Sequence, residues 1–334
     1  MNKSSKCFGA KLLNRSGIVR RYDTRRSAAR ILMYHRVNTA SDCLGLTVSP
    51  ELFSQQLAFL ADNYEVISLE DAVTRLTTGS LSGNCCVLTF DDGYRDNHHF
   101  AAPLLQKYNL PATIFVTVDA VETGQFGWSA FDHALLTTPE RVVELAHWGL
   151  GDFTLESQVA REQVVVRLHQ LLKKLPDIKK KEIVTQVITR YGDGTVLGRI
   201  MMTWSEVKEL AYGGLITIGA HTMTHPILSR VPPEQAWYEI VKSKHVIEEN
   251  VGKSVDYFAY PNGGREDISP DVISQVKRAG YRAACTTISG HNVVGSDPWT
   301  LQRIDVTNSM STDTKGQFSS DLFALSLSGL LRRY

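Results

Sequence analysis

Apolar residues in this chain fall into short runs separated by stretches of helical period, a rhythm that predicts βα units around a parallel sheet or barrel. The runs place strands at Ile31–Tyr34, Glu65–Ser68, Cys85–Phe90, Ala112–Val118, Leu215–Ala220, Asp256–Tyr260, Tyr281–Thr286 and Thr300–Val306. Seven or eight strands suit a barrel. Between them lie helix signals. Ser49-Pro50-Glu51 offers an N-cap and a first-turn proline ahead of Phe53, Leu57 and Leu60. Thr203-Trp204-Ser205-Glu206 reads as a capping box, Ser269-Pro270 opens a helix that Gly280 closes, and a further helix is predicted over Arg95–Tyr108. The rhythm breaks between residues 120 and 202, where two long helical patterns, Glu156–Leu175 and Ile178–Tyr191, occur with no clear strand. This segment predicts a helical insertion capping the barrel mouth, and its lysine run, Lys173-Lys174 and Lys179-Lys180-Lys181, predicts a solvated helix face.

Size fits one catalytic domain with extensions: 334 residues, 43% hydrophobic and 21% charged. The expected division is a basic N-terminal extension over 1–30, a barrel over 31–310 containing the 120–202 insertion, and a C-terminal extension over 311–334. A formal net charge of +1 gives no overall attraction to nucleic acid. The distribution is uneven, however. Residues 1–30 hold Lys3, Lys6, Lys11, Arg15, Arg20, Arg21, Arg25, Arg26 and Arg30 against Asp23 alone, so this segment could rest on anionic lipid or remain a solvated tail. Leu322–Tyr334 reads either as a peripheral membrane helix or as a strut on the barrel. No apolar run is long enough to span a bilayer, and no apolar stretch follows the basic N-terminus as a secretory signal requires, which predicts cytoplasmic residence, with or without peripheral membrane contact. Five cysteines without CxxC spacing predict reduced thiols rather than a disulfide framework or thiolate metal site.

Candidate chemistry gathers at strand ends. The run Val87-Leu88-Thr89-Phe90 stops on Asp91-Asp92-Gly93, and because successive strand residues point to opposite faces, both carboxylates can serve one site only if the chain leaves extended geometry there. Gly93 permits that turn. At the end of Leu215–Ala220 come His221 and His225, four residues apart, which can converge on one ion. Adding a carboxylate gives two nitrogens and one oxygen, a set that leaves positions open for water and substrate. Tyr260-Pro261-Asn262-Gly263-Gly264 ends a third strand in a turn whose backbone N–H groups can face a developing oxyanion. The first strand ends on His35. In parallel barrels the strands' C-terminal ends build the active site, so these four segments should meet.

Thr89-Phe90-Asp91-Asp92-Gly93, His221-Thr222-Met223-Thr224-His225-Pro226 and the proline–glycine strand end together resemble the NodB-type polysaccharide deacetylases of carbohydrate esterase family 4. The resemblance spans about Ile31 to Val306 and implies a distorted (β/α)7–8 barrel. It implies Asp92, His221 and His225 as ligands of one divalent metal, zinc first, with cobalt, nickel or iron also accommodated. Asp91 would be the general base and the backbone N–H of Asn262 an oxyanion donor. Two positions depart from the pattern: Ala259 stands where many members carry an arginine that positions the base, and no late Leu-x-His supplies the general acid. Arg303 is the candidate replacement for that arginine. Tyr34-His35 resembles the early Tyr-His motif of the permuted poly-N-acetylglucosamine deacetylase branch, which implies His35 as the acid. Trp128, at the start of the insertion, could stack on a sugar ring, whereas His98 and His99 read as helix-surface residues.

The function so implied is hydrolysis of the N-acetyl group of N-acetylhexosamine units in a polysaccharide or lipid-linked glycan precursor. Alternatives are an amidohydrolase acting on a small cyclic amide or imide, or a carbohydrate-binding module with a decayed site. Groove shape discriminates the two enzymes, since a polymer needs an open trough and a small molecule a closed pocket under the insertion.

Overall fold

A computed structural model describes residues 3–17, 27–40, 42–195 and 197–330. Seven parallel strands close into a barrel: β1 (Ala28–Tyr34), β2 (Asn84–Phe90), β3 (Ala112–Val116), β4 (Ile216–Ala220), β5 (Tyr257–Ala259), β6 (Ala283–Ser289) and β7 (Leu301–Asp305). The ring runs β1-β7-β6-β5-β4-β3-β2 and closes where β1 pairs with β2 from Ala28↔Asn84 to Tyr34↔Phe90. Alternation along each strand separates two buried layers. Ala29, Ile31, Val87, Phe115, Ala259 and Cys285 belong to an inner cluster, while their neighbours Leu32, Leu88, Ile114, Phe258 and Ala284 pack outward against the helices. The helix Leu69–Thr78 joins the inner cluster through Leu69, Ala72, Val73 and Leu76, and so seals one end of the barrel.

Caps set the helix boundaries. The Ser49 side chain accepts from Leu52 N, Ser269 from Val272 N, and Thr203 and Glu206 form both halves of the expected box. The predicted helix over Arg95–Tyr108 differs in its first turn, which is a π-helix over Asn97–Ala101 before the α-helix Ala102–Tyr108.

Several strand expectations need correction. The segment expected at Glu65–Ser68 contributes only Glu65 and Val66, paired to Cys85 and Cys86 of β2 outside the closed ring, so the barrel has seven strands. β1 begins at Ala28, inside the stretch expected to be an extension, and β6 runs Ala283–Ser289 rather than Tyr281–Thr286. The insertion is not purely helical: Val142–Glu144 pairs antiparallel with Asp152–Thr154. Each of these strands has three residues and only Val143 is buried, too short a run to show a period.

The insertion carries its own small core, in which Phe131, Leu135, Val165, Leu168, Ile183 and Val187 bring together the helices Gly127–Thr137, Gln158–Leu172 and Asp177–Tyr191. At the N-terminus Lys3–Arg15 is a helix rather than a loose tail; the arginines at 20, 21, 25 and 26 lie outside the described residues. The C-terminal helix Ser320–Ser328 packs against it as a strut, and residues 331–334 lie outside the described residues. All five cysteines are free thiols. Among the described residues no helix is long and apolar enough to cross a membrane.

Candidate active site

Strand alternation puts Asp91 on the inner side of the barrel, continuing Val87 and Thr89, and would send Asp92 outward. The backbone prevents this. Asp92 itself adopts φ 75 and Gly93 φ 86, so the chain turns on both residues and the second carboxylate swings back over the barrel mouth. The same device recurs at the other strand ends. Thr222 has φ 69, His225 φ 61 and Asn262 φ 60, so four of the five non-glycine residues with positive φ in the described chain belong to the site. A β-branched threonine in this region is strained, a state that persists only where surrounding contacts over-determine it.

Those contacts are present around the histidine loop. Glu239, buried in the helix Pro233–Val251, accepts at Oε2 from the backbone N–H of Met223 and of Thr224, both at 2.9 Å, and at Oε1 from Thr224 Oγ1 at 2.7 Å. Thr222 Oγ1 accepts from His225 N at 3.0 Å. Nothing in the chemical motifs points to Glu239. Its signal lies in the helix period, where it falls on the buried face with Ala236, Ile240 and Ser243.

Asp92, His221 and His225 offer three ligand atoms within 4.8 Å of one another. The Asp92 Oδ1 atom lies 3.5 Å from His221 Nε2 and 3.4 Å from His225 Nε2, and it is buried without a hydrogen bond. Atoms bound to one ion at about 2.0–2.1 Å and tetrahedral angles lie about 3.3 Å apart, so the trio has the spacing of co-ligands. His221 Nδ1 donates to the Ala259 carbonyl at 2.7 Å, which fixes the tautomer and turns the Nε2 lone pair toward Asp92. Burial, with His221 adjacent, holds the His225 imidazole well below its usual range, and so neutral. Burial pushes the Asp92 carboxyl up, partly opposed by His35 and His221. These residues fit a divalent metal.

Behind them Arg303, fully buried on β7, grips Asp91 with two parallel hydrogen bonds of 2.7 Å, Nη1 to Oδ1 and Nη2 to Oδ2. Its Nε donates to Thr286 O at 2.8 Å and Nη1 also to Thr89 Oγ1 at 3.2 Å. Burial alone would raise the Asp91 carboxyl, but the charge and hydrogen bonds of Arg303, together with His221, win and hold it below the usual carboxylate range.

A cavity of about 400 Å³ opens over these groups, lined by Asp91, Asp92, His221, His225, Asn262 and His35. Arg303 stands behind Asp91 rather than in the lining. Asp305, at the end of β7, shares the cavity with His35, and no chemical motif marks it. The insertion forms the opposite wall with Trp128, Asp132, His169 and Lys173. There the Trp128 ring lies against the ring of His169, their centres 4.3 Å apart and their planes tilted by 33°, and His169 Nε2 donates to Asp132 Oδ1 at 2.6 Å. A second cavity, of about 290 Å³, lies beyond Phe126 and is lined by Lys180 and Lys181. The lysine run is thus only partly a solvated face: Lys180 and Lys181 pair with Asp177 at 2.6 and 2.8 Å, and three of its members line cavities. His98 and His99 lie elsewhere, facing Glu209 and Glu206 at 3.2 and 3.4 Å, and Glu206 is already engaged by Arg95 and its own helix cap.

A family model described as polysaccharide deacetylase matches residues 78–284, well over half of the chain. YxkH of Bacillus subtilis, a candidate polysaccharide deacetylase by name, is 23% identical over 290 residues, covering 86% of this chain and 75% of its own. Among solved structures, the Streptococcus pyogenes deacetylase PplD, in complex with acetate, superposes with TM-score 0.60 at 20% identity, covering 90% of this chain and 98% of that one. IcaB from Ammonifex degensii gives TM-score 0.58 at 19% identity over 90% and 97%. At these identities the structural likeness establishes the shared barrel fold.

The Glu239 clamp can be tested without any substrate. Glu239→Gln removes the charge that accepts three hydrogen bonds from the histidine loop, and we expect divalent-cation affinity, read by calorimetry, to fall about tenfold to a hundredfold. Unchanged affinity would show that the loop keeps its shape without the clamp.

Proposed function

Because the chain belongs to the polysaccharide deacetylase family, hydrolases of non-peptide carbon–nitrogen bonds, we propose that it removes acetyl groups from N-acetylhexosamine units of a polysaccharide or lipid-linked glycan precursor. The observation that carries this reading is the convergence of a two-histidine, one-aspartate cation trio with a separately held, ionised carboxylate on one cavity. Asp92, His221 and His225 would hold the cation, zinc by preference, which when bound polarises the acetamide carbonyl and lowers the pKa of a water toward neutrality.

The chain's own groups supply the remaining chemistry. Asp91 accepts a proton from the attacking water; both its oxygens are engaged by Arg303, but each keeps a second lone pair. The water oxygen bonds to the acetyl carbon, and the carbonyl oxygen takes up negative charge that the backbone N–H of Asn262, a residue lining the cavity, would offset. His35 then donates a proton to the departing nitrogen as the carbon–nitrogen bond breaks, leaving acetate and a free amine. Arg303 touches neither water nor substrate: it keeps Asp91 ionised and oriented. The insertion wall, with Trp128 over the cavity, also suits a small cyclic amide or imide, the second reading.

Incubation with N-acetylglucosamine oligomers should release acetate, and a chelator should abolish the release until zinc or cobalt is restored. Hydrolysis of a cyclic imide without acetate release would favour the second reading, and neither activity would refute both. His35→Ala should retain the cation yet lose turnover by about a hundredfold or more. Wild-type kcat in that variant would remove the histidine from the mechanism.

The pH dependence tests Arg303. With the guanidinium gone in Arg303→Met, burial dominates and the Asp91 carboxyl rises, so activity should fall away at a higher pH than in the wild type as the base becomes protonated. Arg303→Lys, which keeps the charge, should shift the acid limb of the kcat/KM profile less. An unmoved limb in both variants would show that Asp91 is not the titrating base.

A further inference from the structure

The helix Lys3–Arg15 shows two unlike sides. One is docked: Ala10 is fully buried against Leu322 and Leu325, Cys7 and Leu13 flank it, and Asn14 Nδ2 donates to Asp321 Oδ1 at 2.8 Å. Opposite Ala10, one turn apart, Phe8 and Leu12 stand 70% and 60% exposed. The helix carries Lys3, Lys6, Lys11 and Arg15 and no acidic residue, and Lys6 and Lys11 are themselves exposed. Across residues 1–30 the only acidic side chain is Asp23.

An aromatic–aliphatic pair projecting from a purely cationic helix needs a surface that is both apolar and anionic. A bilayer containing acidic lipids provides the two together, with acyl chains beneath a layer of negative headgroups. Because the opposite side is fixed to the barrel's C-terminal strut, the pair is presented by a folded scaffold, so ordering the helix adds no cost on docking. We propose that this helix seats the protein on an anionic membrane surface, with Phe8 and Leu12 inserted at the headgroup boundary and the lysines among the phosphates. The inference is independent of the reaction performed in the barrel, and it bears on where a lipid-linked or membrane-emerging glycan would be met.

The full chain should be sedimented with vesicles of phosphatidylcholine alone and of phosphatidylcholine mixed with phosphatidylglycerol. Partition to the anionic vesicles should exceed that to the neutral ones by about tenfold and weaken with added salt. Phe8→Ser combined with Leu12→Ser should cut binding about tenfold, and Lys6→Gln combined with Lys11→Gln should cut it while lessening the salt dependence; acetate release from soluble oligomers should stay at the wild-type rate in both. Equal binding to both vesicle types, no binding to either, or wild-type binding by the Phe8/Leu12 variant would overturn the proposal. So would a lipid-free dimer that the Phe8/Leu12 variant loses, which would make the occupant a second copy of the chain.

Discussion

The site is organised around one buried ion pair. Arg303 and Asp91 are 0% and 2% exposed, so neither charge is tolerable without the other; removing one partner of such a pair typically costs about 3–5 kcal/mol. Their positions explain the consequence for the fold. Arg303 lies on β7 and Asp91 at the end of β2, and β1 runs between those strands, so the guanidinium spans the barrel interior and ties together both sides of the closing seam. The remaining donors on that guanidinium, to Thr286 O and Thr89 Oγ1, leave it little freedom to rotate. That fixed carboxylate belongs to Asp91, whereas Asp92 Oδ1 faces His221 and His225, so two aspartates that are neighbours in the chain have different partners.

A second constraint is conformational. A strand delivers alternate residues to the barrel interior, yet the site requires adjacent ones, and the chain resolves the conflict by placing Asp92, Thr222, His225 and Asn262 in left-handed backbone conformations. Each is strained for a residue with a side chain, and each turn is braced: Thr117 N donates to Asp92 O, His221 N to Val116 O, Thr287 N to Gly263 O beside Asn262, and Glu239 receives the loop amides. The strain is therefore counterbalanced by the barrel framework, which holds the Asp92, His221 and His225 side chains near one another. At Gly263 the demand is stricter, because a Cβ there would lie 2.8 Å from Tyr260 O and 3.0 Å from Thr287 N.

The parts of this structure written in local chemistry were legible in the sequence. Strand ends carrying Asp91-Asp92-Gly93 and His221 through Pro226 announced themselves through residue type and spacing, and barrel closure brought the four segments to one mouth as parallel topology requires. What escaped reading was either too short or non-local. The Val142–Glu144 hairpin strand offers one buried residue, and Glu65–Val66 is a strand only because β2 has a free edge before β3 begins. Glu239 and Asp305 matter through distant partners; a charged residue on the buried face of a helix was the single trace left by the first. The helical state of Lys3–Arg15 likewise depends on Ser320–Ser328, more than 300 residues away.

The strand that supplies the arginine beside Asp91 follows from the same geometry. Ala259 and Arg303 both lie on the inward side of one closed barrel, as their parity on β5 and β7 dictates, and the guanidinium that meets Asp91 comes from β7. Phe115 already fills the space left by Gly219, where a Cβ would sit only 2.4 Å from its ring, and the Arg303 guanidinium lies 5.8 Å from the centre of that ring. In an open sheet, moving a residue across several strands would carry it away from its partner. In a narrow barrel every inward position near the mouth faces the same small volume, so the positioning cation can come from β7 while the small residue on β5 leaves its backbone carbonyl to orient His221. The chemistry thus constrains which groups meet at the barrel mouth more tightly than it constrains the strand that provides them.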